Sequence, residues 1–224
     1  MAAVLALRKE AFRAGLASDR DRFDDLCQHA MILEADGRLV CTFRLLPFAH
    51  GGQIGESYSG QFYDLSALAG YPDPLIEMGR FCLAPGVSDP DVIRIAWAAM
   101  STFVDNEGAQ LLFGCSSFSG TVAGHYTDTF ALLRDRHLAP SRWLPRVKAP
   151  SVYRFAKALR GRVPDLKIAL KAMPPLLRSY LAMGGWVSDH AVVDRDLNRL
   201  HVFTALEIRS IPAARVRRMR RVAS

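Results

Sequence analysis

The chain is short of several features that would classify it quickly. It holds four cysteines but no CxxC pair, which leaves neither a thioredoxin-like motif nor a zinc-binding cysteine pattern. Cys41, Cys82 and Cys115 sit inside apolar runs and Cys27 precedes His29, so the cysteines read as small buried hydrophobes. No apolar run approaches the ~18 to 20 residues that span a bilayer, and no secretory signal opens the sequence. The expectation is a cytoplasmic protein, soluble or peripheral on the inner membrane. There is no internal repeat and no nucleic-acid-binding motif, so nucleic acid is not an expected partner. No metal is expected either.

What is present is apolar mass and an uneven charge. Half of the 224 residues are hydrophobic, which excludes a disordered chain and suffices for one large domain or a domain with an extension. Residues 1–150 carry 14 Lys and Arg against 17 Asp and Glu, whereas residues 151–224 carry 15 against 5. The net +7 is therefore a −3 segment followed by a +10 segment. The expected division is a catalytic core over 1–150 and a basic extension over 151–224 packed on it. A basic end such as ARVRRMRR is either a solvated tail or a surface for an anionic partner.

The spacing of apolar residues predicts a helix over 3–15 ending on Gly15, then an acidic loop, SDRDRFDDLCQH. AMILEADGRLVCTFRLL predicts a hairpin turning at Asp36-Gly37. FYDLSALAGYP reads as a short helix, and PLIEMGRFCLAP as a buried strand. Asp89 or Asp91 caps a helix with an apolar face of Val92, Ile95, Ala96, Ala99 and Phe103 that Gly108 ends. QLLFGCSSFSG follows as a strand, TVAGHYTDTFALLRDRHL as a helix, then a helix started by Pro174-Pro175 and two last strands. The order predicts a mixed α/β layer fold.

Two charges sit inside the strand PLIEMGRFCLAP: Glu77 and Arg80. Charged residues are almost never buried unpaired, so they form a structural ion pair or a site. Residues three apart on a regular strand face opposite sides. Glu77 and Arg80 share a site only if the strand is irregular, and Gly79 permits a bulge.

The helix LALRKEAFRAG, the loop DRFDDLCQH and the strands LVCTFRLLP, IEMGRFCLAP and LFGCSSFSGT follow one another in a recognisable order. From about Leu5 to Leu206 the chain resembles the bacterial ornithine-lipid N-acyltransferases, acyl-carrier-protein-dependent members of the GNAT-like superfamily. PPLLRSYLAMGGWVSDHAVVD is similar to that family's C-terminal block. The same skeleton is similar to the acyl-homoserine-lactone synthases through Asp21, Asp24, Arg44-Leu45-Leu46 and Glu77 with Arg80-Phe81. The resemblance implies a GNAT-like α/β fold with a mostly antiparallel central sheet flanked by helices. The chain starts inside the first helix of that pattern, so the usual first strand is expected to be absent here, either because the start is misassigned or because that strand is dispensable.

The resemblance also implies N-acylation of ornithine or a related amino acid by a (3-hydroxy) fatty acyl thioester. Glu77 would take the proton of the α-amine, Arg44 and Arg80 would hold the substrate carboxylate, and Asp21 and Asp24 would receive its cationic side chain or simply solvate the loop. No bound cofactor is expected. The loop APGVSDPDVIR lacks the (Q/R)xxGxG that cradles the coenzyme A pyrophosphate and carries carboxylates instead. That favours acyl-phosphopantetheine on acyl carrier protein as the donor. Arg215, Arg217, Arg218, Arg220 and Arg221 would dock either that acidic carrier or an anionic membrane surface. The alternatives are an enzyme like the acyl-homoserine-lactone synthases and an idle membrane- or carrier-binding protein on the same fold.

Overall fold

The computed structural model describes residues 1–12, 18–87 and 89–217. Asp36-Gly37 turns the first hairpin as expected. Gly37 takes φ +87°, a conformation glycine adopts without a steric penalty, and Asp36 Oδ1 accepts the Arg38 N–H at 2.9 Å. Strand β1 (Gln28–Leu33) thereby pairs antiparallel with β2 (Leu39–Phe48). β2 pairs antiparallel with β4 (Leu75–Leu83), which runs parallel to β5 (Leu111–Ser119). β5 pairs antiparallel with β10 (Arg199–Glu207). Beyond β10 lie β8 (Trp186–Val187), β9 (Ala191–Asp194) and β7 (Val152–Tyr153). The eight-stranded sheet is thus mostly antiparallel, and β1 forms one edge of it. Residues 151–217 do not form a separate layer, since β10 lies in mid-sheet beside β5.

The two faces of the sheet have different covers. Helix α2 (Pro90–Asn106) packs Val92, Ala96, Met100 and Val104 on Leu45, Ile76, Met78 and Leu112. The i, i+4 row through 92, 96, 100 and 104 wins over the expected face because it carries Met100 and Val104 to the sheet. Trp97 packs beside it, edge-on to Tyr180 at 4.9 Å, while Ile95 and Ala99 face solvent. Helices α3 (Thr127–Arg136), α4 (Phe155–Ala158), α5 (Leu166–Ala172) and α6 (Pro175–Ala182) bury a further cluster around Phe118, Phe130 and Leu133. Irregular segments over 50–73 and 139–149 cover the opposite face, on Leu75, Phe113 and Phe203.

Three expected elements differ. Helix α1 spans Ala2–Phe12, and Gly15 lies outside the described residues. FYDLSALAGYP is not a helix: Tyr63–Asp64 is a short strand, β3, paired with β6 (Arg146–Val147), and Ser66–Leu68 is one 3-10 turn. Asp64 Oδ1 accepts the Ser66 N–H at 3.0 Å, a local bond that competes with helix formation. The helix expected over 121–138 begins as a 3-10 segment at Ala123–Tyr126 and becomes α3 only at Thr127.

Candidate active site

β4 and β5 are in register only from Leu75–Met78 against Leu111–Gly114. Gly114 lets the strands approach there, because a methyl group on it would collide with the Met78 carbonyl oxygen. Beyond that point β4 bulges. Thr42 faces Cys82 and Arg44 faces Gly79, so Arg80 and Phe81 together oppose Phe43. The left-handed residue of the bulge is Arg80 itself, at φ +53°, rather than Gly79. The parted strands open a cavity of about 310 Å³. Ile93 of α2 and Pro175 and Leu176 of α6 line it from one face of the sheet, and Tyr58, Glu77 and His201 from the other. The cavity therefore passes through the plane of the sheet.

Two residues of its wall, Arg44 and Arg80, belong to a closed ring of ion pairs. Arg8 binds Asp19 at 2.8 Å and Asp24 at 2.5 Å. Arg44 binds Asp24 at 2.8 Å and Asp21 at 2.6 Å, and Arg80 binds Asp21 and Asp19, each at 3.0 Å. Three guanidiniums and three carboxylates alternate, so the ring is neutral. Asp21 is the most open member, its side chain 24% exposed. Burial by itself raises the carboxyls of Asp21 and Asp24, but the arginine hydrogen bonds and charges outweigh it and hold both below the usual range.

This arrangement gives the residues expected at the substrate other partners. Arg44 lines the cavity but spends Nη1 and Nη2 on Asp21 and Asp24. Asp21 and Asp24 are likewise each bridged by two guanidiniums and present no unpaired charge for a substrate cation. Arg80 does not pair with Glu77. It joins the ring and lies over the Tyr58 ring, 4.8 Å from its centroid.

Glu77 does line the cavity, 5% exposed. Its Oε1 accepts the Ser59 N–H at 2.7 Å and the Ser59 hydroxyl at 2.6 Å, and its Oε2 accepts the Tyr58 N–H at 2.8 Å. Burial pushes the Glu77 carboxyl above its ordinary value, and the bonds from Ser59 and Tyr58 and the Arg44 charge only partly oppose that. A carboxylate has about four acceptor sites. Three are filled, which leaves Oε2 room for one more proton donor.

Cys115 also lines the cavity, 3.4 Å from the Ser59 hydroxyl, but burial pushes its thiol up to about 12, so it is no thiolate nucleophile. His29 Nε2 contacts the Asp24 carbonyl oxygen at 2.9 Å, and His125 is exposed on the 3-10 segment before α3. Tyr63 and Trp97 are core, while half-buried Phe62 meets Tyr58 at a tilt and His201 edge-on. Arg215 and Arg217 are exposed, and Arg218, Arg220 and Arg221 lie outside the described residues. Arg215 rims a second groove of about 710 Å³ with Arg94 and Arg178, floored by Trp97 and Met183. Ile93 and Pro175 belong to both hollows, so the basic groove adjoins the helix-side mouth of the cavity. Among the described residues no His, Cys, Asp and Glu group could hold a metal, and no helix is long and apolar enough to cross a membrane.

Residues 4–98 match the acetyltransferase (GNAT) domain family. The L-ornithine N(alpha)-acyltransferase of Rhodobacter capsulatus is 30% identical over 199 residues, 86% of this chain and 76% of that protein. The chain belongs to the L-ornithine Nα-acyltransferase family. The enzyme of that name from Brucella abortus is 28% identical over 92% of this chain and 76% of its own length, and the one from Rhizobium meliloti 27% over 86% and 68%. The chain is accordingly an acyltransferase on a GNAT-like fold. Solved structures overlay more loosely. Apo TofI matches at TM-score 0.43 and 15% identity over 92% of this chain and 82% of its own. The coenzyme A-dependent acyl-homoserine lactone synthase BjaI with SAM and isopentyl-CoA matches at 0.44 and 15%, over 92% and 69%.

Sequence reasoning about this acyltransferase missed Arg8, Asp19, Tyr58, Ser59 and His201. Arg8 left a trace, since it follows Val4 by one turn on the apolar side of α1. The loop residues left none, because their role depends on a turn that only the folded chain closes over Glu77.

Proposed function

We propose that this chain moves a (3-hydroxy) fatty acyl group from acyl carrier protein to the α-amine of ornithine, the first step of ornithine-lipid-type aminolipid synthesis. The observation that carries this reading is Glu77: a buried carboxylate with a raised affinity for protons, placed where β4 leaves β5 in a cavity lined from both faces. Ornithine enters on the Tyr58 and Glu77 face. The thioester enters on the α2 and α6 face, along Ile93, Pro175 and Leu176.

Glu77 takes the α-ammonium proton, directly or through a water molecule, and the freed amine attacks the thioester carbonyl carbon. Backbone N–H groups of β4 that no longer pair with β5 face the oxyanion. Collapse breaks the carbon–sulfur bond, forms the amide, and the phosphopantetheine thiolate recovers a proton. Arg80 is positioned by the ring beside Tyr58 and fixes the bulge. Acyl carrier protein is favoured over coenzyme A as donor because the N-terminus of α2 is capped by Asp89, whose Oδ1 accepts the Asp91 N–H at 2.8 Å. Two carboxylates there oppose a pyrophosphate. Arg94 in the second groove is paired with Asp91 at 3.1 Å, and the remaining rim charges of Arg178 and Arg215 suit an acidic carrier, with an anionic inner-membrane surface as a second use of the same charge.

The test is mass spectrometry of lipids from a host that lacks aminolipids and expresses the chain or its Glu77→Gln variant. An acyl-ornithine species that disappears in the variant supports the reading. Another amino-acid head group changes the substrate, a diffusible lactone in the medium changes the class, and no acylated product at all overturns it.

A further inference from the structure

Beyond Glu77 the same cavity ends in groups that the mechanism above does not use: Ser117 on β5, Asp194 on β9, and Arg199 and His201 on β10. His201 faces Ser117 across β5 and β10, and Asp194 faces Arg199 across β9 and β10. Side chains alternate along a strand, so Ser117, His201, Asp194 and Arg199 share the face that carries Glu77 and Cys115.

Asp194 is only 9% exposed and makes no salt bridge among the described residues; its Oδ1 accepts the Leu197 N–H at 2.9 Å. The Arg199 guanidinium opposite feels the Asp194 charge but forms no salt bridge with it, and its Nε is buried without a partner among the described residues. The guanidinium donates to the Ala11 carbonyl at 2.8 Å and lies 5.2 Å from the Phe12 ring centroid. A carboxylate this buried is costly without a direct ion pair.

His201, 4% exposed, supplies an independent sign of a ligand. The Tyr63 hydroxyl donates its one proton to the His201 carbonyl oxygen at 2.8 Å. At its 3.2 Å contact with His201 Nδ1, the phenol oxygen must therefore accept, which puts the ring proton on Nδ1. Nε2 is then a bare acceptor, and it is buried without a partner. Burial, with the neighbouring His190, drives the imidazole down to about 3, so the ring stays neutral at physiological pH.

We infer that Asp194, His201 Nε2 and the Ser117 hydroxyl receive the side-chain ammonium of the acceptor amino acid. A primary ammonium brings three donors to three acceptors, and its charge would give Asp194 the direct ion pair that it lacks among the described residues. A lone hydroxyl would satisfy one acceptor and leave the charge. The inference rests on the amino-acid acyltransferase reading, and it moves the recognition of the cation from Asp21 and Asp24 to the opposite end of the cavity.

The test compares ornithine with 2-aminopentanoate, which has the same carbon skeleton without the δ-amino group, as acceptors for the purified full chain with one acyl thioester donor. The wild-type chain favours ornithine in kcat/KM. Asp194→Asn lowers the ornithine-to-aminopentanoate ratio about 10- to 100-fold, as loss of a charge-assisted bond should, and His201→Leu lowers it less. An unchanged ratio in folded Asp194→Asn, or parallel loss on both acceptors, overturns the inference while the proposed function stands. Should Asp194→Asn fail to fold, the wild-type ratio decides, since equal use of both acceptors is incompatible with this pocket. Acylation of neither compound sinks the proposed function first.

Discussion

Replacing Asp24 with asparagine tests whether the arginine–aspartate ring is structural. Asp24 accepts from Arg8 and Arg44 and also from the Asp21 N–H at 2.9 Å. Asparagine keeps the size but removes the charge, so three guanidiniums would share two carboxylates in a site where Arg8 and Arg44 are 1% and 3% exposed. Breaking a buried pair on one side costs about 3–5 kcal/mol. At roughly 2–4 °C per kcal/mol for a chain of this size, Tm should fall by about 6–20 °C. Removing Arg8 as well leaves Asp19, Arg80, Asp21 and Arg44 as a balanced chain of two positive and two negative groups. Arg8→Met with Asp24→Leu should therefore cost less than the sum of the two single changes, by about 1–3 kcal/mol. Urea unfolding followed by tryptophan fluorescence measures all four variants: Asp24→Asn, Arg8→Met, Asp24→Leu and the double change. Additive losses, or a loss of less than about 1 kcal/mol for Asp24→Asn, would refute this account. Unchanged stability with a raised KM for the amine acceptor would return Asp24 to the substrate.

Acid should unfold the chain partly through the same ring. Asp21 and Asp24 sit below their unfolded value of about 3.9, so their stabilisation is complete above that pH and is lost as pH falls beneath it; stability should drop less steeply below about pH 4 in Asp24→Asn than in the parent. Glu77→Gln should lose about 10²- to 10⁴-fold in kcat/KM, the usual worth of a general base, while circular dichroism stays native; near-normal turnover would remove Glu77 from the chemistry. Gly114→Ala should push β4 from β5 at Met78 and lower stability by about 1–3 kcal/mol, and an unaltered urea midpoint would show that the strands do not need that close approach.

The sequence made the elements legible wherever a local rule acts alone. Asp36-Gly37 demanded its turn and Pro174-Pro175 a helix start, both of which the fold keeps, and of the two cap candidates Asp89 and Asp91 it uses Asp89. The face of α2 was misjudged because Ile95 is as apolar as Met100, and only the sheet beneath decides between them. The site was half legible. Glu77 and Arg80 stood out as charges in an apolar strand, yet their partners are 18 and 61 residues away in sequence, at Ser59 and Asp19. Pairings at that separation leave no periodic trace.

The bulge in β4 shows how the two halves depend on each other. Glycine at position 79 suggested the irregular residue, but the chain places the left-handed backbone on Arg80, where a side chain costs about 1 kcal/mol or more. Arg80 holds that conformation because its guanidinium binds Asp19 and Asp21 at 3.0 Å each and covers Tyr58. The Tyr58 N–H in turn binds Glu77. One residue therefore parts β4 from β5, closes the ion-pair ring and backs the loop that positions the candidate base. The charges in the strand are neither a simple ion pair nor two independent substrate ligands. Arg80 shapes the cavity, and Glu77 is the group left facing into it.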